Sequence, residues 1–391
     1  MIKEKIKQAV EILKEKNIDV WVTFVRESTT IPDPSLEMVV GTSCTWQTAY
    51  IITSKGETIA IAGSLDVANL KSKGYYKEII GYVQSIKEPL LEILKRIDPK
   101  TIAINYSTNT VIADGLTHGM WLQLMSYLDG TPYKDRIISS EPVIAALCGR
   151  KSPTELKLMK AAIVETLKIF DKVTHYIKPG KTEQDVANFI LKEVKKIGVE
   201  TAWDKEYCPS VFTGPESAGA HAGPTNRKIE GGHILNIDFG VKMNGYTSDL
   251  QRTWYIRRKG ELTVPKEVTL GFNTIIEAIQ LAAKALKPGV MGCEMDDIAR
   301  NHITSKGYAE YPHALGHQIG RIAHDGGGLL CPRWERYGKL PYEKVEESQV
   351  YTLEPRLTVE GYGVATVEEM VVVTKDGCKF LSKSQKKIYL V

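Results

Sequence analysis

The chain has 391 residues, 43% of them hydrophobic, ample for two cores, so two domains are expected. Its formal charge of +4 comes from 51 basic and 47 acidic residues scattered without a basic run or basic-aromatic interleaving, which excludes a nucleic-acid surface. No run approaches the ~18 apolar residues of a membrane span, and the charged start Met1-Ile2-Lys3-Glu4 has no apolar signal core behind it. Six cysteines, Cys44, Cys148, Cys208, Cys293, Cys331 and Cys378, show no CxxC spacing and read as free thiols of a reducing, cytoplasmic setting.

Taken in chain order, residues 2–16 predict an amphipathic helix that leads into the strand-like run 20–25. Residues 49–53 and 58–62 flank a Ser54-Lys55-Gly56-Glu57 turn as a hairpin. Strand and helix alternate onward to Asn105, a helix is predicted near 113–127, and an irregular passage follows at 130–135. Residues 1–148 therefore read as a mixed α/β domain.

Residues 149–391 carry a repeat. Helical periodicity over 154–177 stops at Lys178-Pro179-Gly180, and periodicity over 265–286 stops at Lys287-Pro288-Gly289; glycine ends a helix and proline prevents its continuation. A second helix follows each stop, one opened by the box-like cap Thr182-Glu183-Gln184-Asp185, the other over 293–305. Each half then ends in acid-bearing strands. Ile234-Leu235-Asn236-Ile237 runs into Asp238, and Val350-Tyr351-Thr352-Leu353 runs into Glu354-Pro355. A second acid lies in the next strand-like run of each half, Asp249 after Gly245 and Glu368 after Val364, far enough on for a turn and a return strand. Two such halves related by a pseudo-twofold axis would set the hairpins face to face.

Asp238, Asp249, His317, Glu354 and Glu368 are all oxygen or imidazole donors, a set for hard or borderline divalent ions. Four carboxylates converging in a core would repel one another and resist desolvation unless cations neutralise them; two divalent ions and a neutral imidazole balance the charge. Glu368 and Glu369 must face opposite sides of a strand, so only one of them can reach the ions. His313 and His317 have helical metal-site spacing, but Gly316 and Gly320 argue for a strand or loop, with His317 alone ligating. His118, His175, His233 and His302 sit in no motif. Asp238-Phe239-Gly240 lacks the glycine-rich loop of a kinase, and Gly326-Gly327-Gly328 lacks the strand, lysine and helix of a phosphate cradle.

These motifs resemble, in order, the metallopeptidases of the methionine aminopeptidase, prolidase and creatinase type. The similarity begins at Lys151-Ser152-Pro153-Thr154-Glu155-Leu156 and runs through Ile237-Asp238-Phe239-Gly240, Tyr246-Thr247-Ser248-Asp249, His313-Ala314-Leu315-Gly316-His317, Thr352-Leu353-Glu354-Pro355 and Val367-Glu368-Glu369. It implies an α+β fold: a C-terminal pita-bread catalytic domain, a duplicated ααββ unit over 149–391, behind a smaller N-terminal α/β creatinase-like domain over 1–148. That N-terminal domain shifts the expectation from methionine aminopeptidase toward Xaa-Pro dipeptidase or Xaa-Pro aminopeptidase.

By the same resemblance, two divalent ions (Mn, Co, Zn or Fe) are expected, one held by Asp238, the other by His317 and Glu354, with Asp249 and Glu368 bridging. A hydroxide between the ions is the implied nucleophile and Glu354 its proton acceptor. His221 and His324 resemble the histidines that guide protons or hold substrate, and His313 resembles one lining the leaving-group pocket. A homodimer is implied, acting on small peptides. Alternatives are a creatinase-like C–N hydrolase of a small non-peptide substrate and a binding protein that has lost catalysis. Three departures bear on substrate. His324 is followed by Asp325-Gly326-Gly327-Gly328 and not by Glu, Pro and the Arg that holds a dipeptide carboxylate, leaving Arg333 or Arg336 as substitutes; Arg356 stands where Gly usually follows Glu-Pro; Thr366 stands where an Arg often precedes the last glutamate.

Overall fold

The computed structural model describes residues 1–217 and 223–391, and these form two compact units, Met1–Cys148 and Gly149–Val391. In the first unit six strands form one mixed sheet in the order Glu78–Tyr82, Thr58–Gly63, Thr48–Thr53, Val20–Val25, Ile102–Ile104, Ile137–Ser139. Val20–Val25 is buried along its whole length, pairing antiparallel with Thr48–Thr53 and parallel with Ile102–Ile104. Such a central strand must be apolar on both faces, which is why it reads as a continuous β-branched and aromatic run. The helix Ile2–Glu15 buries Ile6, Ala9, Ile12 and Leu13 against one face of the sheet, and Lys87–Ile97 buries Leu90, Ile93 and Leu94 against the other. Among the described residues no helix is long and apolar enough to cross a membrane.

The second unit is built twice over. Helix Pro153–Tyr176 opens with a capping box from Ser152 and Glu155, and Glu183–Ile197 opens with one from Thr182 and Asp185. Each box satisfies two backbone N–H groups that would otherwise lack a partner at the helix start. Helices Lys266–Ala285 and Gly292–Ser305 are their counterparts. The connections match in detail: Gly180 and Gly289 both have left-handed φ, 90° and 91°. Gly180 donates to the Ile229 carbonyl at 2.9 Å and Gly289 to the Val345 carbonyl at 2.8 Å.

Each helix pair packs on its own strands, the first on Ser210–Thr213, Ile234–Phe239 and Leu250–Tyr255 through Ile163, Phe170, Ile190 and Trp254. The second packs on Val350–Leu353, Glu369–Thr374 and Gly377–Phe380 through Phe272, Ile275, Ala299 and Val371.

Each predicted hairpin is one long bent ribbon rather than two straight strands. Ile234–Phe239 continues as Val241–Met243, turns at Asn244 and Gly245, and returns as Tyr246–Thr247 and Leu250–Tyr255. Val350–Leu353 continues as Arg356–Val359 and returns as Gly363–Thr366 and Glu369–Thr374. Pro355 removes one ladder donor at the second bend. Gly240 marks the first, where a Cβ would lie 1.8 Å from the Ser248 carbonyl oxygen.

Candidate metal centre

The bends are where the acids sit. Asp238 is the penultimate residue of Ile234–Phe239, and Asp249 immediately precedes Leu250–Tyr255. Glu354 immediately follows Val350–Leu353, and Glu368 immediately precedes Glu369–Thr374. Asp249 and Glu368 thus lie between strand segments rather than inside strands, as the sequence pattern had implied. A bend frees the residue from strict alternation, so both acids of a ribbon can turn to the same side.

His317 arrives from a different part of the unit. The short strand Gly316–His317 pairs with Leu329–Leu330, and no helix forms between His313 and Gly320. A Cβ on residue 316 would lie 1.9 Å from the Thr352 carbonyl oxygen, so only glycine lets this backbone run against the strand before Glu354. The Glu354 N–H donates to the Leu315 carbonyl at 2.8 Å, and the His317 N–H donates to Thr352 Oγ1 at 3.1 Å. Behind this segment, Asp296 accepts from Leu315 N–H at 3.0 Å, while Arg300 donates to the carbonyls of Tyr311 and His313.

The result is a cluster. One ligand atom each of Asp249, His317 and Glu368 lies within 4.8 Å of the others. His317 Nε2 is 3.4 Å from Glu354 Oε1, 3.8 Å from Asp249 Oδ2 and 4.0 Å from Glu368 Oε1. Asp238 completes it beside Asp249, each carboxyl shifting the other's ionisation. His317 Nδ1 lies 3.2 Å from the Gln318 carbonyl, which can only accept, so Nδ1 carries the proton and the Nε2 lone pair faces the acids.

Burial and mutual repulsion make this cluster a poor place for bare charge. Burial pushes Asp238 up to about 7, and burial with the neighbouring Asp238 charge pushes Glu354 to about 8. Asp249 and Glu368 are raised well above the ordinary range by burial first and then by the other acids. Burial, followed by the adjacent His324, drives His317 down to about 3 and keeps it neutral, as a metal ligand must be.

Among the described residues three buried oxygens, Asp238 Oδ1, Asp249 Oδ1 and Glu368 Oε2, have no hydrogen-bond partner. An orphaned buried acceptor costs about 1–3 kcal/mol. Oxygen and imidazole donors with unsatisfied lone pairs aimed at one another fit hard or borderline divalent cations.

His324 is exposed, yet its ring packs edge-on against His317 with centroids 4.3 Å apart. Its loop is tied down by Asp325, whose Oδ2 accepts from the Arg321 N–H at 2.8 Å and lies 3.3 Å from the buried Lys151 ammonium. His313 is half-buried, with Nδ1 2.8 Å from the Ala314 carbonyl, close enough to act on His317. His221 lies outside the described residues. The two arginines that might have replaced the missing loop arginine are engaged elsewhere: Arg333 pairs with Asp297 at 2.8 Å, and Arg336 donates to the Pro312 carbonyl at 2.7 Å.

Two further residues of the centre, Gln251 and Thr352, lie within or beside the matched motifs but are assigned no role by them. Gln251 Nε2 lies 3.4 Å from Glu354 Oε2, and its Oε1 accepts from the Thr366 hydroxyl at 3.1 Å. Thr352 Oγ1 lies 3.3 Å from Glu354 Oε1 while accepting from His317. Gln251 stands directly opposite Asp238 in the ladder, so a correct register alone points to it.

Residues 157–375 match the model of metallopeptidase family M24. Over 339 residues the chain is 28% identical to an uncharacterized peptidase of Staphylococcus aureus, covering 86% of this chain and 88% of that protein. It is similar in structure to an Xaa-Pro dipeptidase from Bacillus anthracis, with a TM-score of 0.75 and 24% identity over all of both chains. An X-Pro aminopeptidase from Thermotoga maritima gives 0.72 and 24% over 99% of both. A prolidase from Pyrococcus horikoshii gives 0.69 and 24% over 98% of this chain and 99% of that one. At such identities the structural likeness establishes the fold.

Proposed function

Because the chain belongs to metallopeptidase family M24, we propose that the cluster is the active site of a dinuclear metallo-exopeptidase that removes the N-terminal residue from peptides, with proline favoured in second position. The observation that carries this reading is the set of four carboxylates, two buried (Asp249 and Glu368) and two half-buried (Asp238 and Glu354), around one neutral imidazole, with three buried oxygens left unsatisfied among the described residues. In it Asp238, Asp249, His317, Glu354 and Glu368 would together hold the two divalent ions. The ions supply acidification of a water and polarisation of the scissile carbonyl when bound.

The chain's own groups do the rest. Glu354 takes a proton and returns it to the leaving amine, its two oxygens oriented by Thr352 and Gln251. His324, whose ring packs against His317, would hold the substrate carbonyl side; the roles of His313 in the leaving-group pocket and of His221 in guiding protons or holding substrate rest on the family resemblance. The preference for proline is supported by the names of the structurally similar Xaa-Pro dipeptidase and X-Pro aminopeptidase.

The test is direct. The purified chain, stripped and reloaded with Mn, Co, Zn or Fe, is expected to take up two equivalents of metal and to cleave Ala-Pro or Ala-Pro-Ala but not creatine. Glu354→Gln and His317→Ala should each lower kcat/KM at least about 100-fold with the circular dichroism spectrum intact. Undiminished activity in either variant sinks the assignment, and cleavage of creatine alone would favour the C–N hydrolase.

A further inference from the structure

We infer that Arg356 receives the free C-terminal carboxylate of the peptide substrate and so selects substrates that end one or two residues beyond the cleaved bond; the inference rests on the exopeptidase reading above. Arg356 opens the strand Arg356–Val359, two residues past Glu354. It stands directly opposite Thr366 in the ladder, and directly opposed residues project from the same face of an antiparallel pair. That face is identified by Thr366 itself, whose hydroxyl donates to Gln251, the side chain that in turn approaches Glu354. Leu357 and Val359 leave on the other face, into the core under helix Lys266–Ala285, where they crowd Gly271. Arg356 therefore projects on the side of the carboxylates.

Among the described residues Arg356 has no hydrogen bond or ion pair, although it is half-buried. The buried arginines of this unit are matched, Arg252 with Glu369 and Arg300 with Asp296, whereas Arg257 and Arg258, without a carboxylate partner among the described residues, are exposed. A partly desolvated guanidinium without an anion is costly and is relieved when an anion arrives. The clustered acids do not fill that role, since no carboxylate oxygen of the described residues comes within ion-pair distance of Arg356, and two divalent ions would neutralise their charge. The anion must then come with the ligand. The anion common to every unmodified peptide is its α-carboxylate, whose planar pair of oxygens matches the guanidinium fork.

The span agrees. Arg356 follows Glu354 by two residues across the bend at Pro355, so at most ~7 Å of chain separates them, no more than the length of about two peptide residues. A long peptide would carry its carboxylate out of reach.

The experiment compares Ala-Pro with its C-terminal amide on the metal-loaded wild type, Arg356→Gln and Arg356→Lys. Calorimetric binding of free proline and of prolinamide provides a readout independent of turnover. The wild type is expected to prefer the free acid about 30-fold, mainly through KM, and to bind proline more tightly than prolinamide. Arg356→Gln should bring Ala-Pro down to the level of the amide at unchanged metal stoichiometry, and Arg356→Lys should keep part of the preference. Equal handling of acid and amide by the wild type, or a preference that survives in Arg356→Gln, overturns the inference while leaving the exopeptidase reading standing. Should Arg356→Gln fail to fold, the wild-type comparison and Arg356→Lys still decide. Failure of the wild type to cleave any peptide, with any metal, overturns both.

Discussion

Glu368 and Glu369 are neighbours with opposite fates, because consecutive extended residues send their side chains to opposite faces. Glu368 joins the cluster of acids around His317. Glu369 points away into a pocket where Arg252 Nη2 lies at 3.2 Å and where the Ser382 hydroxyl and the Gln385 N–H also donate to it. Burial raises the Glu369 pKa and Arg252 pulls it back. Arg252 also donates to the Glu368 carbonyl at 2.9 Å, so the same guanidinium fixes the backbone that aims Glu368. Both side chains are buried, 0% and 1% exposed, and Arg252→Met would strand a carboxylate without its cation. A loss of about 3–5 kcal/mol is expected in urea denaturation, with Glu369→Met recovering much of it in the double variant. A single variant as stable as wild type would show that the pair is not an internal counter-charge. Alternation made it legible in the sequence that one glutamate of the two must turn away; its arginine partner was not, because it lies 117 residues distant.

At the scale of elements, the repeated helix pairs were legible because their stops are chemical: Pro-Gly after each first helix and side-chain caps before Pro153 and Glu183. The bends in the ribbons were hidden, because the runs before Asp249 and Glu368 have ordinary strand composition. They break for tertiary reasons. Thr247 N–H is drawn to the Gly320 carbonyl at 2.8 Å, and Glu368 N–H to the Gln251 carbonyl at 3.2 Å, each away from the ladder of its own ribbon. The Gly316 segment depends on a similarly close approach. Adding one methyl in Gly316→Ala forces it off the Thr352 carbonyl, at a cost of about 1–3 kcal/mol. His317 and the Glu354 N–H bond to Leu315 would move together, so metal stoichiometry is expected to fall well before the unit unfolds. Elemental analysis of the variant alongside its melting curve separates the two effects, and a variant retaining full metal content would show that the close approach does not position His317.

For the whole chain, concentrating acids at one point couples folding to protons and to metal. Asp238 and Glu354 move from the ordinary 3.8 and 4.5 to about 7 and about 8 in the metal-free fold, and Asp249 and Glu368 are raised as well. A raised carboxyl binds more protons folded than unfolded, so its contribution to stability is lost as pH climbs from the unfolded value through the folded one. His317 acts in the opposite sense. Its folded value near 3 lies below the ordinary 6.5, so its contribution is lost as pH falls, and above 6.5 it changes nothing further. Between about 4 and 6.5 the acids therefore outweigh a partial compensation, and between about 6.5 and 8 they act unopposed. Calorimetry of the chelator-treated chain should show a melting temperature that declines from pH 5 to pH 8, most steeply around pH 6.5–7, above the ordinary histidine value and before Asp238 and Glu354 have shed their protons. Divalent metal reverses the trend, because binding expels those protons and tightens as pH rises. At 100-fold excess over the dissociation constant, one site adds about 2.7 kcal/mol, so the gap between loaded and stripped melting curves is expected to widen steadily toward pH 8. A stripped chain whose stability is flat across this interval, with a metal increment independent of pH, would mean that these carboxylates do not share one buried site.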